Sequence, residues 1–305
     1  MSKNKNGIIR RIRRQLQVYA YDLTTPEMVS KFYFRYLLKY PLNLKNPQTF
    51  NEKLQWLKLY EWPENPIAIQ CGDKYTVRAY LEEKGLDSYL NDLIGHWEKV
   101  EDIDWDSLPN QFAMKVSNAC GENIICEDKS RLDIEEAKKK LNMWIKRDFG
   151  KFNAEPHYSK MKPHIICEKF LGGDMVDYKF FCFGGKMKFM YIAQGFGHHI
   201  NERITFFDEN GNKAPYRRTD YPIYQEAVAP DFFEEMSILS EKLSEGLPFL
   251  RVDWFEHDGK IYFGEMTFTP CGGLMKIDPI EYDKIWGSWI DISGLIQKRK
   301  SKQNA

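Results

Sequence analysis

The 305-residue chain balances 44 Lys+Arg against 44 Asp+Glu, so no overall field directs it to nucleic acid. With 43% apolar and 15% aromatic residues it can fill one large core or two modest ones. It holds no run of about 18 apolar residues that would span a membrane. The N-terminus lacks an apolar signal-peptide core, and the six cysteines at 71, 120, 126, 167, 182 and 271 form no CxxC pair. A cytoplasmic protein with free, buried thiols is the expectation.

In chain order, Ile8-Ile9-Arg10-Arg11-Ile12-Arg13-Arg14 reads as a solvated helix start or as a basic arm drawn to anionic membrane or polymer. Thr25-Pro26-Glu27 opens a helix, with Pro in its first turn, that Pro41 stops. Thr49 and Glu52 form a capping box before Leu54, Trp56, Leu57 and Leu59. Gly72-Asp73-Lys74 is read as opening a third helix that ends at Gly85. Lys74 and Arg78, one turn apart on it, share a face that can reach a phosphate or simply meet solvent. Phe112–Val116 is a short strand bearing Lys115, followed by the small-residue loop Ser117–Asn123 and the strand Ile124–Cys126. A lysine beside such a loop can hold phosphates by its charge and by free backbone N–H groups, although this is not a Walker A sequence. Asp102-Ile103-Asp104 and Asp104-Trp105-Asp106 spell the DxD of metal-dependent glycosyltransferases; in an acidic stretch before Pro109 they read as a surface turn.

A helix over Asp133–Arg147 ends at Gly150. His164–Phe170 is a buried strand finishing in Glu168-Lys169, and Asp177–Phe183 pairs with Lys186–Tyr191 across Gly184-Gly185. Asp177 and Lys179 share one strand face, as an ion pair or as ligand contacts. His198 and His199 point opposite ways, which excludes a joint metal site; with Arg203 they precede a second turn, Asp208–Gly211. Phe232–Leu243 is a helix stopped by Gly246, and the polar tail after Ile296 is expected to fray.

The chemistry concentrates in Phe249–Gly273, two strands around His257-Asp258-Gly259 with Arg251, Asp253, Glu265 and Thr267 set among aromatic and aliphatic residues. Buried carboxylates need a partner, either a metal ion or an arginine. A three-residue loop would place Asp253 opposite Phe263 and Glu265 diagonally beside Asp253 on the same face. A two-residue Asp-Gly turn would separate the two carboxylates.

The ordered set FNEKLQWLK, CGDKYTVRAYLEEKG, FAMKVSNACGENIIC, HIICEKFLGG, DYKFFCFGGK and LRVDWFEHDGKIYFGEMTFTPCGG, over roughly residues 45–290, resembles the ATP-grasp superfamily, in particular the TupA-like ATP-grasp family linked to bacterial polysaccharide and teichuronopeptide synthesis. The resemblance implies an α+β ATP-grasp fold, two α+β subdomains gripping ATP. A helical N-terminal region (1–70) would precede a grasp domain (71–298) and a flexible tail (299–305). Within the grasp domain, about 96–175 would form the nucleotide lid and about 176–298 the catalytic antiparallel sheet.

It also implies roles. Lys74, Lys115 and Lys179 would meet ATP phosphates, with Asp177 beside Lys179. The loop from Asn118 through Gly121 to Asn123 would close over the phosphates, and Glu168, Lys169 and Phe170 would meet adenine. Asp253 and Glu265 would hold Mg2+, with Thr267 where many ATP-grasp enzymes carry Asn. Arg251, with Arg203 as a second candidate, would stabilise charge at the reacting centre.

The activity that fits is an ATP-dependent carboxylate–amine ligase working through an acylphosphate. Its substrates would be the carboxylate of a uronic acid-type saccharide, in a capsular or cell-surface polymer or its precursor, and a small amine or amino acid. A polysaccharide glycosyltransferase and a sugar kinase on the same scaffold are the alternatives.

Overall fold

A computed structural model describes residues 15–172, 175–195 and 201–304. The basic run Ile8–Arg14 and the pair His198-His199 lie outside the described residues.

Two antiparallel sheets organise the chain. The smaller contains β1 (Leu93–Trp97), β2 (Phe112–Val116), β3 (Asn123–Cys126) and β4 (Ile165–Lys169) in the order β1-β4-β2-β3. The helix Ile134–Trp144, capped by Asp133, lays Ala137, Leu141 and Trp144 against Phe112, Met114, Val116 and Cys167. These side chains make a core separate from that of the larger sheet.

The larger sheet contains β5 (Asp177–Phe183), β6 (Lys186–Gln194), β7 (Arg203–Asp208), β9 (Phe249–His257) and β10 (Lys260–Thr267), ordered β10-β9-β5-β6-β7. The short strands β8 (Arg217–Arg218) and β11 (Ile277–Asp278) pair apart from it. Gly184 and Gly185 both take left-handed φ in the β5–β6 turn, as expected of a tight hairpin. One face of the sheet packs on the helix Phe233–Ser244, where Trp254 Nε1 donates to Ser240 Oγ at 2.8 Å.

The opposite face is divided along its strands. Cross-strand partners share a face, and Phe249–Phe183 and Arg251–Phe181 are such partners. At one end, Phe181, Phe183, Phe189 and Phe249 pack beneath Phe50 and Trp286. At the other end, Arg251, Asp253 and Lys179 replace the aromatics. The apolar end is roofed by the helices Phe50–Tyr60 and Glu281–Ser288, while at the charged end Arg251 and Asp253 are buried and bond to each other and to Glu265 and Lys179 of the same sheet.

The helix starts follow local chemistry. Thr25 caps Pro26–Leu38, and Thr49 with Glu52 forms the reciprocal capping box of Phe50–Tyr60. The reading of a helix opening at Gly72 is corrected. The chain makes two short helices, Pro66–Cys71 and Val77–Glu83, with Gly72–Thr76 as the turn between them. Asp73 drives that turn: its carboxylate accepts the N–H groups of Tyr75 and Thr76 and the Ser117 hydroxyl. The DxD stretch is a turn, with Asp104 accepting the Asp106 N–H. All six cysteines are free; Cys120 and Cys271 are exposed, against the expectation of burial.

Candidate active site

The β9–β10 hairpin turns on two residues, not three. Asp258 and Gly259 both adopt left-handed φ, 51° and 67°, and His257 pairs with Lys260. Continued without interruption, this register would send Glu265 to the face opposite Asp253. A bulge at Gly264 absorbs one residue, so Phe263 faces Trp254 while Glu265 stands directly opposite Asp253 and Thr267 opposite Arg251. Gly264 has no room for a side chain: a Cβ there would lie 2.7 Å from a ring carbon of Phe255 and 2.9 Å from the Asp253 carbonyl oxygen.

The carboxylates so aligned are gripped by cations. Arg251 donates from Nε to Asp253 Oδ1 (2.6 Å) and from Nη2 to Asp253 Oδ2 (2.7 Å) and Glu265 Oε1 (2.8 Å). Lys179 Nζ donates to Asp253 Oδ2 at 2.5 Å and lies 3.3 Å from Asp177. Lys74 Nζ stands 3.7 Å from Glu265 Oε2, and the Thr267 hydroxyl donates to Glu265 Oε1 at 3.1 Å. Three carboxylates therefore face three cations.

The two metal candidates differ in access, with the Asp253 side chain 2% exposed and that of Glu265 34%. Burial works to raise the Glu265 pKa, but Lys74, Arg251 and Lys179 outweigh it and hold the carboxyl at about 2. At Asp177, by contrast, burial dominates and pushes the pKa up, with Lys179 opposing. At Lys179, burial is outweighed by Asp177 and Asp253, which keep the ammonium charged.

A second charged group lies on the smaller sheet. Lys115 donates to Glu168 Oε2 at 2.9 Å, and Arg78 approaches Glu168 Oε1 at 3.4 Å. Arg78 also donates to the Asn91 carbonyl, and Asn91 to that of Lys169. Lys169 is exposed and Phe170 half-buried at the end of β4. In the loop after β2, Gly121 takes φ 71°, and the Asn118 side-chain carbonyl is buried with no hydrogen-bond partner. Lys74 ties this loop to the charged cluster, donating from its backbone to Ser117 O (3.0 Å) and from Nζ to Ala119 O (2.7 Å). Lys74 and Arg78 thus diverge to separate partners instead of sharing one helical face. Arg203 starts the edge strand β7, where it donates to Gln194, pairs with Glu226 and lies 4.4 Å over Tyr224.

Several residues escaped the reading of the sequence. Asn51, Gln55 and Lys58 project from one helix onto the segment after β10. Asn51 bonds both backbone groups of Met275, while Gln55 and Lys58 donate to the carbonyls of Gly272 and Gly273. Their spacing, polar positions at i, i+4 and i+7 along one stripe of a helix whose other polar residues are Glu52 and Lys53 in its first turn, was the available signal. Tyr191, opposite Lys179 on β6, is buried within reach of the charges of Arg251 and Lys179. No local pattern marks it.

A small four-stranded sheet bearing Lys115 and Glu168 beside a larger antiparallel sheet bearing paired Asp and Glu is the arrangement of an ATP-grasp fold, the class to which the family match assigns this chain. The family model described as "TupA-like ATPgrasp" matches residues 52–291, and the chain belongs to that family. Solved structures similar to it include the D-alanine–D-alanine ligase of Helicobacter pylori, at 15% identity over 81% of this chain and 70% of that one, with a TM-score of 0.46. The Bacillus anthracis enzyme of the same name matches at 17% identity over 77% and 71%, with a TM-score of 0.42. An L-amino acid ligase from Bacillus licheniformis matches at 15% over 68% of this chain and 43% of that one, with a TM-score of 0.39. The chain thus spans less than half the length of that last protein. No curated protein matches it.

Proposed function

We propose that the chain is an ATP-dependent carboxylate–amine ligase. The observation carrying this reading is the Gly264 bulge, which sets Glu265 opposite Asp253 and brings Arg251 and Lys179 onto the same carboxylates. A bulge that re-aims an acidic side chain beside an arginine is a costly local feature with a clear use at a phosphoryl-transfer centre.

Mg2+ suits the donor set. Among the described residues no three Asp, Glu, His or Cys converge on one point, but Mg2+ with a nucleotide needs only one or two carboxylates, the phosphates and water completing its shell. Glu265, the more open carboxylate, would hold it with Asp253, and Thr267 offers one hydroxyl. When bound, the ion neutralises the terminal phosphates. The protein's own groups do the rest. Without nucleotide, Arg251, Lys179 and Lys74 are neutralised by Asp253, Asp177 and Glu265. An arriving polyphosphate competes for those cations, so Lys74 and Lys179 turn from carboxylate to phosphate. Arg251 meets the charge that develops as the γ-phosphoryl passes to a substrate carboxylate. An amine then attacks the acyl carbon, and phosphate leaves. Lys115, held by Glu168, and the Asn118–Asn123 loop cover the nucleotide from the smaller sheet.

For its substrates we propose a uronic acid-type carboxylate of a surface polysaccharide or its precursor, and a small amine or amino acid, the pair that the resemblance of the sequence motifs suggests. The glycosyltransferase alternative loses its support at Asp104, whose carboxylate accepts a backbone N–H within its own turn. A panel of uronic acids and amines, assayed for ADP release with each partner omitted in turn, tests the reading. ADP that requires both partners supports amide formation. ADP formed without any amine indicates a kinase, and UDP release from a sugar nucleotide indicates a transferase.

A further inference from the structure

We infer that the helix Pro26–Leu38 is a docking face for an anionic lipid bilayer. The helix is two-sided. Val29, Ser30 and Phe34 are buried against the body, while Met28, Phe32 and Tyr36, one turn apart, are 58%, 66% and 60% exposed. Phe32 and Tyr36 stack with parallel rings 6.2 Å apart. Among the described residues, six of the fourteen exposed large apolar side chains fall within residues 16–36, these three together with Leu16, Tyr19 and Leu23. Such crowding of exposed apolar groups is not the scatter of an ordinary surface.

The charges select the occupant. Lys31, Arg35 and Lys39 are exposed at the same four-residue spacing beside the apolar row, and the Lys39 ammonium lies 5.0 Å from the Tyr36 ring. The chain is formally neutral, yet residues 1–39 hold nine Lys/Arg against Asp22 and Glu27, a net of +7. Glu27 is itself paired with Lys31. The helix Ser293–Asn304 adds Lys298, Arg299, Lys300 and Lys302 with no acid, and reaches the same side of the molecule, where Arg299 lies 3.8 Å over Tyr60 and Tyr60 bonds Glu27. An aromatic row flanked by cations matches the interface of an anionic bilayer, in which rings sit at headgroup depth and ammonium and guanidinium groups meet phosphates. A second copy of this chain would instead bring like charges together.

The test is co-sedimentation of the full chain with phosphatidylcholine vesicles, with and without about one-third phosphatidylglycerol. Expected is binding only to the anionic vesicles, reversed by salt. Phe32→Ser/Tyr36→Ser and Arg35→Glu/Lys39→Glu should each weaken it by about tenfold or more, with ATP turnover and melting temperature unchanged. Absence of binding to anionic vesicles overturns the inference. So does binding that survives both double substitutions but is lost on charge reversal of Arg10, Arg11, Arg13 and Arg14, since the helix face would then be idle. A concentration-dependent dimer that Phe32→Ser/Tyr36→Ser dissolves would assign the face to self-association.

Discussion

At the scale of single residues, Asp253 and Glu265 are paired in space and unequal in consequence. Asp253 is enclosed and neutralises both Arg251 and Lys179. Asp253→Ala should therefore destabilise the fold by about 3 kcal/mol, because two buried cations each lose one of their two carboxylate partners. Glu265 is partly exposed, so Glu265→Gln should cost about 1 kcal/mol or less. On the proposed function it should nonetheless lower ADP release by ~10²-fold or more, since the group that would hold Mg2+ at the phosphates is lost. Thermal melts set beside turnover of both variants check this; equal loss of stability in the two would remove the distinction.

His157 gives a second prediction at this scale. It is fully buried with neither ring nitrogen hydrogen-bonded, and burial, with the neighbouring charge of Lys58, lowers its pKa from 6.5 to about 3. Between those values the unfolded chain holds the extra proton, so stability rises with pH and is lost on acidification below about 6.5. Melting temperature measured from pH 8 to pH 5 should fall on the acid side, and His157→Gln should flatten that fall. Glu265, held at about 2, adds a further loss only below its ordinary value of 4.5.

At the scale of elements, the β9–β10 hairpin depends on one bulge. Gly264→Ala places a Cβ against the Asp253 backbone, which has no rotamer by which to yield. Overpacking of this kind costs about 1–3 kcal/mol. If the strand instead sheds the bulge, Glu265 turns to the other face and ADP release is lost while the sheet persists. Turnover falling much further than melting temperature is the expected result; an active Gly264→Ala enzyme would show that the register does not matter.

At the scale of the whole molecule, the turn at Asp73 and Lys74 holds the loop after β2 through Ser117 and Ala119, and Lys74 links it to Glu265 of the larger sheet. Removing the Asp73 carboxylate frees the Ser117 hydroxyl, whose oxygen also receives the His164 N–H at the start of β4. Asp73→Ala should split a single unfolding transition into two by calorimetry and speed amide exchange in β2 and β4. ATP at about a hundredfold its Kd should stabilise the intact protein by roughly 2.7 kcal/mol. Lys115→Met should shrink that thermal shift while leaving the nucleotide-free melt nearly unchanged, since the Lys115–Glu168 pair is partly solvated.

Much was legible locally. Thr25, the Thr49–Glu52 box and Gly184-Gly185 mark element boundaries because caps and tight turns are satisfied within a few residues. Charges embedded in Phe249–Gly273 flagged the site, because a buried carboxylate demands a counter-charge wherever the chain folds. The hairpin register was not legible. An Asp-Gly turn predicts one pairing, and only the close packing of Phe255 and the Asp253 carbonyl around Gly264 shows where the extra residue is absorbed. The Lys74 turn was missed for a similar reason: Asp73 satisfies Tyr75, Thr76 and Ser117 at once, and the last of these lies 44 residues on, in the loop after β2. Sequence alone thus determined which residues carry the charge and the strands β2 to β6, β9 and β10 that bear most of it, while β1, β8 and β11 went unread. The tertiary structure decided which cation meets which carboxylate, because that depends on register and on contacts between residues far apart in the chain.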